Sequence, residues 1–178
     1  GNLQSTDNTY DVAIQGKGFF RVTLPSGEDA YTRAGSFQVS ADGQLVTTDG
    51  DVVAPGITIP ADTIDVSINR NGEVSVKVDG TVAPTVVGQL EMAIFFNDAG
   101  LEAKGGNTFM ETPASGTASA GVPGSPGYGS VLQGFLETSN VNAVSEITSL
   151  ITAQRAYEMN SRVITASDEM LRTMANLR

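Results

Sequence analysis

The hydrophobic pattern of this 178-residue chain changes period once. Up to about residue 139, apolar and polar positions alternate in short runs bounded by turn residues, the pattern of half-buried β-strands. Phe20, Val22 and Leu24 alternate with Phe19, Arg21 and Thr23, and Pro25-Ser26-Gly27 closes the run. Phe37–Val39 and Leu45–Thr47 flank Ala41-Asp42-Gly43, a hairpin signal because glycine accepts positive φ. Val66 and Ile68 precede Asn71-Gly72; Val74, Val76 and Val78 follow it and end at Asp79-Gly80. Residues 12–14, 108–111 and 131–137 predict further strands. The mostly apolar run 86–96 predicts one long, more central strand. Residues 114–129, ASGTASAGVPGSPGYG, carry Gly or Pro every two or three positions in their second half and read as a long, mobile surface loop with no regular element.

The last part is helical. From residue 140 to about 176 there is no Gly and no Pro. Residues seven apart make two apolar stripes: Leu150, Tyr157, Ile164, Leu171 and Ala156, Val163, Met170, Leu177. The neighbouring row, Ala153, Asn160, Ser167, is small or polar until Met174. Such a heptad predicts a coiled-coil-like helix, with Ser139 or Asn140 as its N-cap. About 35 residues at about 1.5 Å each span about 50 Å. One small domain does not cover a stripe of that length, and the chain holds no second helix of similar length. The stripe predicts helix–helix association, with Leu150, Ala156, Tyr157, Val163, Ile164, Met170, Leu171, Met174 and Leu177 at the interface. The fold class is therefore mainly β: an irregular antiparallel β domain over 1–139, including the 114–129 loop, then a long C-terminal helix over 140–178.

Composition narrows the chemistry. The chain has 20 acidic and 10 basic residues, a net charge of −10, and no His, Cys or Trp. Residues 1–139 hold 16 acids and 6 bases; residues 140–178 hold 4 of each. Without His or Cys there is no Ser-His-Asp triad, no thiol nucleophile and no His/Cys zinc site. The acidic balance argues against nucleic acid, which is held by neutralising phosphates. No apolar run reaches the ~18–20 residues that span a bilayer. Arg155, Arg162 and Arg172 are balanced by Glu146, Glu158, Asp168 and Glu169, so the helix lacks the cationic face that anionic lipid selects. Asp49-Gly50-Asp51 reads as two solvated turn acids. The stretch from Ser67 lacks the first and last acids of a calcium loop, and Gly16-Lys17-Gly18 precedes a strand, so it is a turn. Gly124-Ser125-Pro126-Gly127 has the wrong spacing for a nucleophile elbow. In Phe19-Phe20 and Phe95-Phe96, one member of each pair is expected in a core and the other on an exposed or subunit-facing side. The residues leave three readings open: a self-assembling structural protein, a secreted β-scaffold that binds through its loops, and, as the weakest, an Asp/Glu hydrolase.

Several segments resemble a known family. Asp11-Val-Ala-Ile-Gln-Gly-Lys-Gly-Phe-Phe20, Ala30-Tyr-Thr-Arg-Ala-Gly-Ser-Phe37 and Asp42-Gly-Gln-Leu-Val46 resemble motifs of bacterial flagellar rod and hook proteins. Leu136-Glu-Thr-Ser-Asn-Val-Asn142 and Ala153-Gln-Arg-Ala-Tyr-Glu-Met-Asn-Ser161 resemble that family's C-terminal signature. Residues 57–61, with Gly88-Gln-Leu90 and Gly100-Leu-Glu102, favour its distal-rod branch over the proximal-rod or hook branches. The resemblance implies a structural subunit of a helical homopolymer, exported by the flagellar type III apparatus and placed in the periplasmic part of the basal body. The partners it implies are other copies of the chain, other rod proteins, the hook protein and the surrounding rings, with no cofactor, metal or catalytic residue. Members of the family begin with a long N-terminal helix, which the present residues do not show, so the resemblance is to the middle domain and C-terminal helix.

Overall fold

The computed structural model describes residues 1–139 and 143–176. The chain divides into two units, Gly1–Thr138 and Ser139–Arg178. The first is built from β1 (Leu3–Ser5), β2 (Val12–Gln15), β3 (Phe19–Thr23), β4 (Asp29–Thr32), β5 (Phe37–Val39), β6 (Leu45–Thr47), β7 (Val52–Val53) and β8 (Thr63–Ile68). It continues with β9 (Glu73–Val78), β10 (Thr85–Gln89), β11 (Met92–Ile94), β12 (Glu102–Gly105), β13 (Thr108–Met110), β14 (Ser119–Gly121), β15 (Ser130–Gln133) and β16 (Phe135–Glu137). The second unit is α1 (Ala143–Asn176).

Each strand pairing is antiparallel. The main sheet runs β12-β13-β4-β3-β7-β6-β5, with β11 also on β3 and β14 on β11. β8, β9 and β10 form a three-stranded sheet, and β1–β16 and β2–β15 are two-stranded. The hairpins at Asp42-Gly43 and Asn71-Gly72 stand where their turn residues placed them, and Gly43 and Gly72 both take positive φ. β2, β3, β5, β6, β8, β9, β11 and β15 feed one core, whose fully buried side chains include Ile14, Phe20, Leu45, Ile57, Leu90 and Met92.

Four expectations from the sequence are corrected. The run 86–96 is two strands: β10 ends at Gln89, β11 starts at Met92, and they belong to different sheets. A bulge at residues 86–88 and the N–H of Leu90 donating to the Gly72 carbonyl turn the chain between them, so one apolar run serves two sheets. Both Phe19 and Phe20 are buried, because β3 is covered on both faces. Phe20 meets Phe37 edge-on, while Phe19 meets Phe95 and Phe109 in a second small cluster with Tyr31. Phe96 is the exposed member of its pair, at 100%. Asp51 is buried, not solvated: the Thr47 N–H donates to its carbonyl, and its own N–H donates to the Thr47 hydroxyl. Finally, residues 114–129 contain a strand, β14, and bury Ser115 and Pro123, so the segment packs into the β unit instead of lying free.

Candidate assembly face and its anchor

Helix α1 has 34 residues, so it is about 50 Å long at about 1.5 Å per residue. The described helix begins at Ala143; residues 140–142, on which the expected N-cap at Ser139 or Asn140 depends, lie outside the described residues. Every helix side chain that is described is exposed. Tyr157 is 75% exposed, Ile164 64% and Leu171 65%; Val163, Met170 and Met174 are exposed to a similar degree, and Ala156 is exposed too. Leu150 is helical but its side chain lies outside the described set, and Leu177 lies outside the described residues. The seven-residue spacing puts Tyr157, Ile164 and Leu171 in one row and Ala156, Val163 and Met170 beside it, with Ser167 and Met174 between the two. Arg155, Arg162 and Glu169, also seven apart, fall on the opposite side of the same cylinder. Over residues 155–174 these rows stand on different sides of the helix, while the exposed Ile151, one turn before Arg155, lies on the side of the charged row. Among the described residues no helix is long and apolar enough to cross a membrane.

The segment that leads into the helix is fastened by a short ladder, by Thr138 and by one arginine. Among the described residues β16 pairs with β1 alone, through Leu3 with Glu137, Gln4 with Leu136 and Ser5 with Phe135, and the Thr138 N–H and hydroxyl donate to the Asn2 carbonyl. The Glu137 carboxylate accepts from Arg33 Nε at 2.8 Å on one oxygen, to which Nη2 also comes within 2.8 Å as an ion pair, and from the Gly1 ammonium on the other at 2.6 Å. Arg33 Nη1 also donates to the carbonyls of Gly16 and Gly18, at 2.9 and 2.8 Å, and Nη2 to that of Ile14 at 3.3 Å. Burial pushes the Glu137 carboxyl up, but the bonds from the ammonium and from Arg33 outweigh it and hold the group below its ordinary 4.5. Nothing in the spacing of the sequence pointed to Arg33, because three of its partners are backbone carbonyls. Among the described residues no group of acids, His or Cys is placed to hold a metal ion.

The chain is thus a β unit followed by a long helix whose described apolar side chains are exposed. Residues 13–76 match the family model for the flagellar hook protein FlgE/F/G D1 domain, and residues 132–177 the one for the flagellar basal body rod FlgEFG protein C-terminal region. The chain is 57% identical over its whole length to the flagellar basal-body rod protein FlgG of Caulobacter vibrioides, covering 68% of that protein. It is 54% identical over 96% of its length to FlgG of Agrobacterium fabrum, covering 65%. The flagellar hook protein FlgE of Salmonella typhimurium is 39% identical over 67% of this chain, which is 29% of the hook protein. The chain therefore spans about two thirds of the length of these rod relatives. It belongs to the FlgG family of flagellar basal-body rod proteins, a structural family.

Proposed function

We propose that this chain is part of a subunit of the distal rod, the periplasmic shaft between the proximal rod and the hook. In this reading it is exported by the flagellar type III apparatus and polymerises helically through the apolar side of α1. It performs no catalysis, and its neighbours are other copies of itself, other rod proteins, the hook protein and the rings around the shaft. The rod relatives match along almost the whole chain, whereas the hook protein matches over two thirds of it, which supports the rod over the hook. The observation that carries the assembly reading is the row of exposed apolar side chains on α1. Monomeric proteins rarely leave a contiguous strip of that kind in water. Burying Val163, Ile164, Met170, Leu171 and Met174 is worth roughly 1.5–3 kcal/mol each, so on the order of 10 kcal/mol before ordering costs. The small row at Ala153, Asn160 and Ser167 lets a partner helix come close and helps set its register.

The test places Asp at Ile164 and Leu171 in the full-length protein, in cells that lack their own copy. The β unit folds as in the wild type and export is unchanged, but no rod forms beyond the proximal part and swimming is lost. Normal swimming in that double variant would overturn the assignment of α1 as the assembly element.

A further inference from the structure

We infer that the Arg33–Glu137 pair is the joint through which force on the helix reaches the β core. The inference rests on the rod reading above, in which the subunit is loaded mechanically. Among the described residues β16 pairs with β1 alone, in a two-stranded ladder of three residue pairs whose β16 side is half-buried and whose β1 side is mostly exposed. A ladder of that size is marginal on its own in water. Glu137 is the last residue of β16 and lies six positions before the first residue of α1. A pull along the chain from the helix meets Thr138 first, whose N–H and hydroxyl donate to the Asn2 carbonyl just ahead of β1, and then Glu137, the first residue of β16 tied to anything besides that ladder.

At that residue the load passes to Arg33 and, through its other nitrogens, to the carbonyls of Ile14, Gly16 and Gly18. Those carbonyls belong to the end of β2 and the turn before β3. The turn is itself fixed. Gly16 and Gly18 take positive φ, and a Cβ on Gly18 would meet Met92 Cε at 2.5 Å. The Gly129 N–H donates to the Lys17 carbonyl at 2.7 Å. The arginine thus bridges a weak two-stranded ladder to a turn locked against the core. Three segments far apart in the chain meet here: Gly16-Lys17-Gly18, Arg33, and Glu137 beside the helix. Only a guanidinium fills this place, because a planar fork reaches a carboxylate on one side and three carbonyls on the other, and an ammonium does not. The inference uses only the Arg33 side of the carboxylate and not the terminal ammonium.

Two measurements test it. In the first, amide hydrogen exchange is followed in this chain as the wild type and as Arg33→Lys, Arg33→Gln and Glu137→Gln. Exchange at β1 and β16 accelerates about tenfold in all three variants, while the β8–β9 hairpin keeps its protection. With the Gly1 amine acetylated, Glu137→Gln keeps the arginine and its carbonyl bonds and loses the Arg33 contact alone, so it reports on the joint even where the Arg33 variants lose the turn. In the second, the same variants are placed in the full-length protein in cells lacking their own copy. Rods assemble and cells swim near wild-type speed in dilute medium, but speed in a methylcellulose medium falls at least twofold below that of wild-type cells under the same load. Unchanged exchange at β1 and β16, or wild-type speed in the viscous medium, would overturn the inference. Failure of the unaltered full-length protein to restore swimming would overturn the rod reading, and the inference with it.

Discussion

The side chain of Gln133 completes the edge of β8 at Val66: its Nε2 donates to the Val66 carbonyl and its Oε1 accepts from the Ile68 N–H, both at 2.9 Å. One primary amide thereby does what two backbone groups of a neighbouring strand would do. The same Nε2 donates to the Thr9 carbonyl, so the residue also holds the segment before β2. Gln133→Leu keeps the bulk and removes the partners of the Ile68 N–H and the Val66 carbonyl. It lowers the stability of the β unit by about 2 kcal/mol, read as a shift of the urea midpoint with an unchanged slope.

Tyr128 lies flat on Gly121. A Cβ at Gly121 would stand 2.4 Å from Tyr128 Cζ, and the Tyr128 hydroxyl donates to the Ser119 carbonyl at 3.0 Å. Gly121→Ala displaces the ring and costs about 1–3 kcal/mol by the ordinary penalty of overpacking. Replacing residues 114–129 by a short Gly-Ser turn removes both β14 and this contact, so the melting temperature falls. Retention of the wild-type melting temperature would show that the segment is dispensable after all.

Tyr31 titrates at higher pH than an ordinary phenol. Burial is the main cause, the charges of Asp29 and Glu111 add to it, and Arg21 opposes. The unfolded chain loses this proton near 10.0 while the folded one retains it, so the folded state binds more protons in that window. The contribution is complete below pH 10 and is lost as pH rises from there through the raised folded value. With four tyrosines and no tryptophan, the near-ultraviolet absorbance follows tyrosinate directly. Tyr31→Phe removes the last step of that titration and flattens the alkaline fall in stability.

Glu137 governs the acid side. Its folded value lies below 4.5, so its contribution to stability is present above that pH and is lost as pH falls through the lowered value. Melting temperature followed from neutral pH downward should therefore drop more steeply in the wild type than in Glu137→Gln. The two curves converge at the acid end. Parallel curves would mean that neither the Gly1 ammonium nor Arg33 holds the carboxylate.

What was legible in the sequence follows from what each element depends on. The hairpins at Asp42-Gly43 and Asn71-Gly72 are local, set by turn chemistry and by alternation such as Val74, Val76 and Val78, and they stand where read. β1 was invisible because Leu-Gln-Ser shows no buried face; its pairing comes from backbone groups facing residues near the far end of the unit. The break between β10 and β11 was hidden because fully buried Leu90 stands in the corner itself, between half-buried Val87 and buried Met92, so apolar positions continue across it despite Gln89 and Glu91. The seven-residue rows of α1 were plain from spacing alone. Arg33 was quoted only within a family-like motif, since a side chain that binds main-chain carbonyls leaves no complementary residue to find.

The pairing of β1 with β16 also bears on when the unit becomes complete. The bond from the Thr138 hydroxyl to the Asn2 carbonyl, beside the β1–β16 ladder, closes a loop across 136 positions, while the β8–β9 hairpin closes over a few. Loop-closure entropy grows with separation and non-local pairings form slowly, so the hairpins organise first and the two ends meet last. A collapsing β unit therefore has a formed interior before β1 and β16 pair. The last step to complete the unit is the one that joins its opening strand to its closing strand, so any change that weakens this pairing leaves the interior folded and the closing strand loose.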